Sequence, residues 1–213
     1  MTRIALGLCL SLLFAGESWA DAPKGNMKAA PSAAKADAVA IFAGGCFWCL
    51  ESEYEKIDGV KSVVSGYTGG KTKNPTYTEI GSGKTGHAEA IKVVYDPAKV
   101  SYDKLLDHYW QESDPTDPGG QFVDRGTQYR TEIFYTTPEQ KKTAEASKSA
   151  LETSGRFKKP IVTVISPATV FYDAEDYHQD YYKKSPGRYN SYKENSGRKE
   201  YLQEHWQAEK PKK

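Results

Sequence analysis

The sequence predicts an α/β fold, an α+β two-layer sandwich with a ferredoxin-like split βαβ core, a mixed sheet and helices on one face. Three observations predict it. An apolar run at residues 39–43 passes through two glycines into a helical pattern at 47–56. The order strand–helix–strand then occurs twice before residue 137. A further helix and strand follow, with an irregular C-terminal tail behind them. The chain has 213 residues, of which 38% are hydrophobic and 27% charged, enough for one domain with a sizeable core.

Each element has a local reason. Residues 39–43 read as a buried strand, and Gly44-Gly45 as a sharp turn. Residues 47–56 read as a helix with acids near its start, ended by Asp58-Gly59. Residues 60–68 form a second strand. A polar loop at 69–86 is long enough to suggest function. Residues 87–95 form a third strand, with Glu89, Ile91 and Val93 on one face and Lys92 on the other, ended by Asp96-Pro97. Ser101 caps a helix through Leu105, Leu106 and Trp110. A second long loop covers 113–128. Residues 129–136 read as a fourth strand, with Tyr129, Thr131, Ile133 and Tyr135 on one face. Thr137 and Gln140 make a capping box around Pro138, opening a helix to about residue 154, where Gly155 stops it. Residues 161–165 read as a fifth strand, and 174–184 and 199–207 as short helical stretches.

The ends of the chain are different in kind. Residues 1–20 read as an export signal: Arg3, an apolar stretch at 4–15, then Ser18-Trp19-Ala20 for cleavage. The apolar run is shorter than the roughly 20 residues of a membrane span. Residues 21–38, rich in alanine, lysine and proline, read as a flexible tether, and 39–213 as the catalytic domain. The expected location is the periplasm or a secreted space, and the expected state a monomer. A net charge of +1 gives no support for nucleic-acid binding.

Of three cysteines, Cys9 would leave with the signal, which keeps Cys46 and Cys49. A structural disulfide is the plain reading in an oxidising compartment. Yet closing a loop of about four residues is worth only about 1.9 kcal/mol, against about 3 for about fifteen, so a domain this long gains little from it. Cys46 sits at a strand-to-helix turn, where backbone N–H groups and the positive helix end are expected to favour its thiolate. Cys49 lies at i+3, within disulfide reach. One Cys-x-x-Cys also suits a thioredoxin-like protein or half a zinc site, but no second cysteine pair exists and no histidines fall at ligand spacing. Leu50 takes the place of the histidine that haem attachment needs. Glu89, on an apolar face, is either a carboxylate reaching water or a neutral acid able to donate a proton. By pattern alone Tyr77 and Tyr129 are packing residues, Asp124 a turn residue, Phe47 and Trp48 core, and His178 a surface residue on a short helix.

Six stretches together resemble the peptide methionine sulfoxide reductases of type A. They are Gly-Cys-Phe-Trp-Cys at 45–49, Gly-Tyr-Thr-Gly-Gly at 66–70, Asn-Pro-Thr-Tyr at 74–77, Gly-His-Ala-Glu-Ala at 86–90, Asp-Arg-Gly-Thr-Gln-Tyr-Arg at 124–130 and Ala-Glu-Asp-Tyr-His-Gln at 174–179. The resemblance implies Cys46 as nucleophile, Glu89 as proton donor, Tyr77 and Tyr129 as hydroxyls on the sulfoxide oxygen and Asp124 as a supporting polar residue. It implies Phe47 and Trp48 as a hydrophobic box for the substrate methyl group. These types suit the chemistry: sulfoxide oxygen leaves sulfur only when protonated, and a thiolate is the attacker sulfur requires. Many members carry recycling cysteines in a C-terminal tail; here that tail has none, so Cys49 is the implied resolving thiol. The implied activity is reduction of methionine S-sulfoxide, free or in oxidised proteins, through a Cys46 sulfenic acid and a Cys46–Cys49 disulfide. A thioredoxin-like or dithiol reductant is the implied partner, with no metal or organic cofactor. A general thiol–disulfide oxidoreductase is the rival enzyme, and a zinc-binding interaction module the non-enzymatic one.

Overall fold

The computed structural model describes residues 36–207. The export segment read at 1–20 and nearly all of the tether read at 21–38 lie outside the described residues. The first strand, β1 (Ala38–Gly44), begins one residue ahead of the expected domain start. Then come α1 (Phe47–Tyr54), β2 (Val60–Thr68), α2 (Tyr77–Gly81), β3 (Ala88–Tyr95) and α3 (Tyr102–Glu112). They are followed by β4 (Gly120–Gln121), β5 (Asp124–Arg125), a 3-10 turn (Thr127–Tyr129), β6 (Thr131–Tyr135) and α4 (Pro138–Thr153). Last are β7 (Val164–Pro167), β8 (Tyr172–Asp173), α5 (Tyr181–Lys184), α6 (Pro186–Asn195), α7 (Arg198–Leu202) and a π turn (Gln203–Gln207).

The main sheet has the order β7-β6-β1-β3-β2-β8. Its middle four strands are antiparallel neighbours and make the expected split βαβ core. β7 joins β6 in parallel, which makes the sheet mixed. Alternation along β1 and β3 sends Phe42, Ile91 and Val93 to the face under the helices, where Leu50, Tyr54, Leu105 and Tyr109 meet them. Burying a side chain of this size is worth about 1.5–3 kcal/mol. The other face carries Ile41, Ala43, Ala90 and Phe134 and is covered by Val39, Ala168 and Phe171. Among the described residues no helix is long and apolar enough to cross a membrane.

Four local expectations change. The first long loop contains α2, opened by a Thr76–Glu79 capping box. The second contains the β4–β5 hairpin and the 3-10 turn, so Tyr129 lies in that turn and not on a strand. Gly126, at φ +121°, swings the chain round, and its carbonyl accepts the Tyr129 N–H at 3.0 Å. The last core strand shifts to Val164–Pro167, because the Val162 N–H is bonded to the Pro115 carbonyl at 2.8 Å instead of entering the sheet. The tail expected to be irregular is largely helical: Pro186 opens α6, at the helix position where a missing N–H costs nothing.

Candidate active site

β1 ends at Gly44, and Gly45 turns the chain into α1 at φ +88°. A Cβ at Gly45 would come within 2.6 Å of the Gln121 side chain, so only glycine fits the close approach of β4. Cys46 is the N-cap of α1, and its carbonyl accepts the Cys49 and Leu50 N–H groups at 3.2 and 3.4 Å. Cys46 is 5% exposed and Cys49 0%, and both are free thiols.

The last β1–β3 pair is Phe42 with Ile91. Two residues further, that register brings Glu89 to the Gly44 end of β1. Glu89 faces Tyr67 across β2 and is 2% exposed. Its Oε2 accepts the N–H of Phe47, the residue after Cys46, at 3.1 Å. Burial pushes its carboxyl up to about 8, against the opposing pull of that hydrogen bond. Glu89 is therefore neutral at pH 7, with its remaining O–H free to donate.

The expectation that α1 lowers the Cys46 pKa is overturned. Burial, with the hydrogen bond and charge of Cys49 and the charges of Glu89 and Asp124, pushes the Cys46 thiol well above its ordinary range. The N–H group that should have faced the sulfur serves Glu89, and the Cys46 side chain makes no capping bond. Nor do acids fall in the first turn of α1. Cys49 goes the other way, to about 6, through its hydrogen bond to Cys46 and the cations Arg198 and Lys193. The pair shares a proton, and Cys46 keeps it.

Tyr77 opens α2, and its N–H is held by Glu175 Oε1 at 2.9 Å, while Glu175 Oε2 accepts the Tyr67 hydroxyl at 2.8 Å. One carboxylate thus ties α2 to β2. Burial, followed by the nearby Glu89 and Cys46, raises Tyr77 to about 12. Tyr129 is raised by burial and by Glu89, Tyr77, Asp124 and Cys46. Both phenols stay protonated beside the same carboxyl and thiol. Asp124, on β5, accepts the Tyr192 hydroxyl from α6, and burial raises its carboxyl.

Phe47 is 1% exposed and packs on Tyr67 and His178, with ring centroids 5.9 and 5.1 Å away. Trp48 is half-buried, stacks on Tyr181 at 3.8 Å and donates its indole N–H to His178 Nδ1 at 3.1 Å. That bond leaves the proton of neutral His178 on Nε2, and burial lowers its pKa and keeps it neutral. His178 is 1% exposed and lies in a turn ahead of α5, not on a surface helix. Its ring also meets Tyr77 at 4.3 Å.

The structure therefore gathers Cys46, Cys49, Glu89, Tyr77, Tyr129, Asp124 and Trp48 around one turn, with Phe47 mostly core behind them. Sequence reasoning missed Glu175, Tyr189, Tyr192 and the indole partnership of His178. Glu175 and His178 lie in the 174–179 stretch that carries the resemblance; for Tyr189 and Tyr192 the signal was the density of aromatic and charged residues beyond residue 170. From that region, Tyr189 shares a hydrogen bond with Ser52, and Lys193 pairs with Glu53. The Asp180 N–H reaches Glu51 Oε1 at 3.1 Å. Together they strap α5 and α6 across α1.

Residues 38–210 match the family model described as peptide methionine sulfoxide reductase. The chain is similar to "Peptide methionine sulfoxide reductase MsrA" of Listeria monocytogenes serotype 4a, 56% identical over 169 residues, which are 79% of this chain and 96% of that one. It is 55% identical over 168 residues to the protein of that name from Bacillus velezensis, covering 79% of this chain and 95% of that one. Among solved structures, reduced Mxr1 of Saccharomyces cerevisiae superposes with a TM-score of 0.67 at 33% identity, covering 71% of this chain and 87% of that one. Methionine sulfoxide reductase A of Corynebacterium diphtheriae gives 0.62 at 34%, covering 70% of this chain and 76% of that one.

Proposed function

The chain belongs to the peptide methionine sulfoxide reductase family, type A, and from that membership we propose how its residues act as a peptide-methionine (S)-S-oxide reductase. The sulfoxide oxygen accepts hydrogen bonds from the Glu89 carboxyl and the Tyr77 and Tyr129 hydroxyls, while Asp124 supports the polar side of the site. The substrate methyl group rests on the half-buried Trp48 ring, which Phe47 backs from the core, an apolar surface that water leaves readily. Cys46 attacks sulfur, passing its proton along the hydrogen bond to Cys49. Glu89 protonates the oxygen as it leaves sulfur. The hydroxide then adds to the Cys46 sulfur as its bond to the substrate sulfur breaks, so methionine departs and Cys46 becomes a sulfenic acid.

Cys49 then attacks the sulfenic acid, giving a Cys46–Cys49 disulfide and water. An external thioredoxin-like or dithiol reductant restores both thiols, so the electrons come from thiols and not from an organic cofactor. Substrates are free methionine S-sulfoxide and oxidised proteins, and the role is repair after oxidative damage. The export reading of residues 1–20 supports action in the periplasm or a secreted space.

One observation carries this reading: a buried carboxyl, neutral to about pH 8, is anchored on the N–H next to the nucleophile. That carboxyl can protonate a departing sulfoxide oxygen, a step that thiol–disulfide exchange does not contain. Turnover of separated sulfoxide epimers with a dithiol reductant tests it. The S epimer is expected to be reduced and the R epimer left intact. No turnover of either, together with active insulin reduction, would favour the exchanger.

A further inference from the structure

Arg198 opens α7 and is 2% exposed. A buried guanidinium is costly unless its charge and its N–H groups find partners. Here Nε and Nη1 have no hydrogen-bond acceptor among the described residues. The carboxylate in ion-pair range, Glu112, is 3.9 Å from Nη1. Burial raises Glu112 to about 7, so at neutral pH it supplies only part of a charge. The Phe122 ring lies 4.7 Å from the guanidinium carbon and gives one face a weak partner. Nη2 points toward the turn carrying the nucleophile, since a Cβ on Gly45 would come 3.5 Å from it. The cation thus lies against the turn that leads into Cys46, with Nε and Nη1 unspent. Cys49 is the anion that weighs most on it, ahead of Glu112.

We propose that Arg198 is a positioning residue that holds Cys49 as a thiolate, readying it to attack the sulfenic acid on Cys46. The inference rests on Cys49 being the resolving thiol. The groups facing Cys49 come from every element around it. Cys46 shares its proton, while Lys193 on α6 is a second cation already paired with Glu53. Tyr189 and Tyr192 on α6, Glu89 on β3, Asp124 on β5 and Glu112 on α3 are neutral or oppose the thiolate. Arg198 is the buried cation in that set.

The chemistry balances. After the sulfoxide step Cys49 carries the former Cys46 proton and Glu89 is a carboxylate. Cys49 returns that proton to Glu89 and, as a thiolate beside Arg198, attacks the Cys46 sulfur. The S–S bond forms and the S–O bond breaks. Hydroxide leaves and takes the proton from Glu89, giving water. The sulfoxide has already supplied the oxidising equivalents.

A thiol at its ordinary value of about 8.5 is about 3% ionised at pH 7. In the full-length protein, disulfide formation after one sulfoxide turnover is followed by rapid quench and thiol alkylation between pH 6.5 and 9. Wild type should be nearly level from pH 7 to 8, below the range in which loss of the Glu89 proton slows the sulfoxide step. Arg198→Met should be about tenfold slower at pH 7 and climb toward wild type as pH approaches 9, the range in which an ordinary thiol ionises. Arg198→Lys should restore much of the level profile. A merely structural arginine predicts the same fractional loss at every pH, and that result overturns the proposal, as does a wild-type profile in Arg198→Met. If Arg198→Met does not fold, thiolate absorbance of the wild type decides: about one thiolate per chain at pH 7.5 supports the proposal, and none below pH 8.5 overturns it. Cys49→Ser in the same assay should form no Cys46 disulfide. Its full recycling by a thioredoxin-like reductant would remove Cys49 as resolving thiol, a failure distinct from that of Arg198.

Discussion

Cys46 and Cys49 leave the same turn of one helix, yet their surroundings drive their protons in opposite directions. On the Cys46 side stand the neutral carboxyl of Glu89, the protonated phenols of Tyr77 and Tyr129, and Asp124, whose carboxyl burial raises. On the Cys49 side stand cations, Arg198 and Lys193, delivered by the C-terminal helices. The first environment suits proton donation to a departing oxygen, and the second suits a standing thiolate. Two thiols close in sequence are thus given separate tasks by chain segments distant from them and from each other. A helix start alone does not set a cysteine's reactivity; what covers the helix can outweigh it.

The sharpest way to break that contrast is Cys46→Ser. It should release no methionine, even in a single turnover, although Cys49 remains. A burst of methionine from this variant would mean that Cys49 can attack sulfur and that the two sides are interchangeable.

Glu89→Gln keeps the shape and a donor but cannot give a proton, so binding should change little while chemistry slows by about 10²–10⁴-fold. The pH dependence sharpens the point. Glu89 donates in its neutral form, which is present below about pH 8 and lost above it, so the single-turnover rate of the wild type should fall above about pH 8. The variant should lack that alkaline fall. A wild-type rate in Glu89→Gln with a dead tyrosine variant would move the proton to a phenol. The smallest effects are expected from Tyr77→Phe and Tyr129→Phe, each roughly tenfold, because removing one hydrogen bond to developing charge leaves the other hydroxyl in place. Single-turnover methionine release at one pH ranks them against Glu89→Gln.

Much of the fold could be read from local pattern. The placement of Glu89 with Ile91 and Val93 followed from strand alternation, and the Gly44-Gly45 turn from residue type. Tyr129 was misplaced because its periodicity with Thr131 and Ile133 continued through a turn that only the φ +121° of Gly126 reveals. The β4–β5 hairpin is two residues a side, too short for alternation to register. The α2 capping box at Thr76 and Glu79, by contrast, is local and legible in the sequence. The Cys46 ionisation was misjudged for a different reason. Local dipoles are encoded nearby, but burial by α6 and α7 is a tertiary fact, and burial is the larger influence here. Arg198 is one of 29 lysines and arginines in the sequence, and only the docking of α7 makes it a buried one.

The strap also has a temporal meaning. Trp48 meets His178, Ser52 meets Tyr189 and Glu53 meets Lys193 across 130, 137 and 140 residues of chain. A polypeptide that emerges amino end first therefore presents Cys46 and Cys49 long before the residues that cover them exist outside the ribosome or translocation pore. During that interval the two sulfurs lack both their neutral acids' enclosure and their cations, and behave as ordinary exposed thiols. In that interval the pair is more open to oxidants and folding catalysts than in the folded enzyme, where Cys46 is 5% exposed and Cys49 0%.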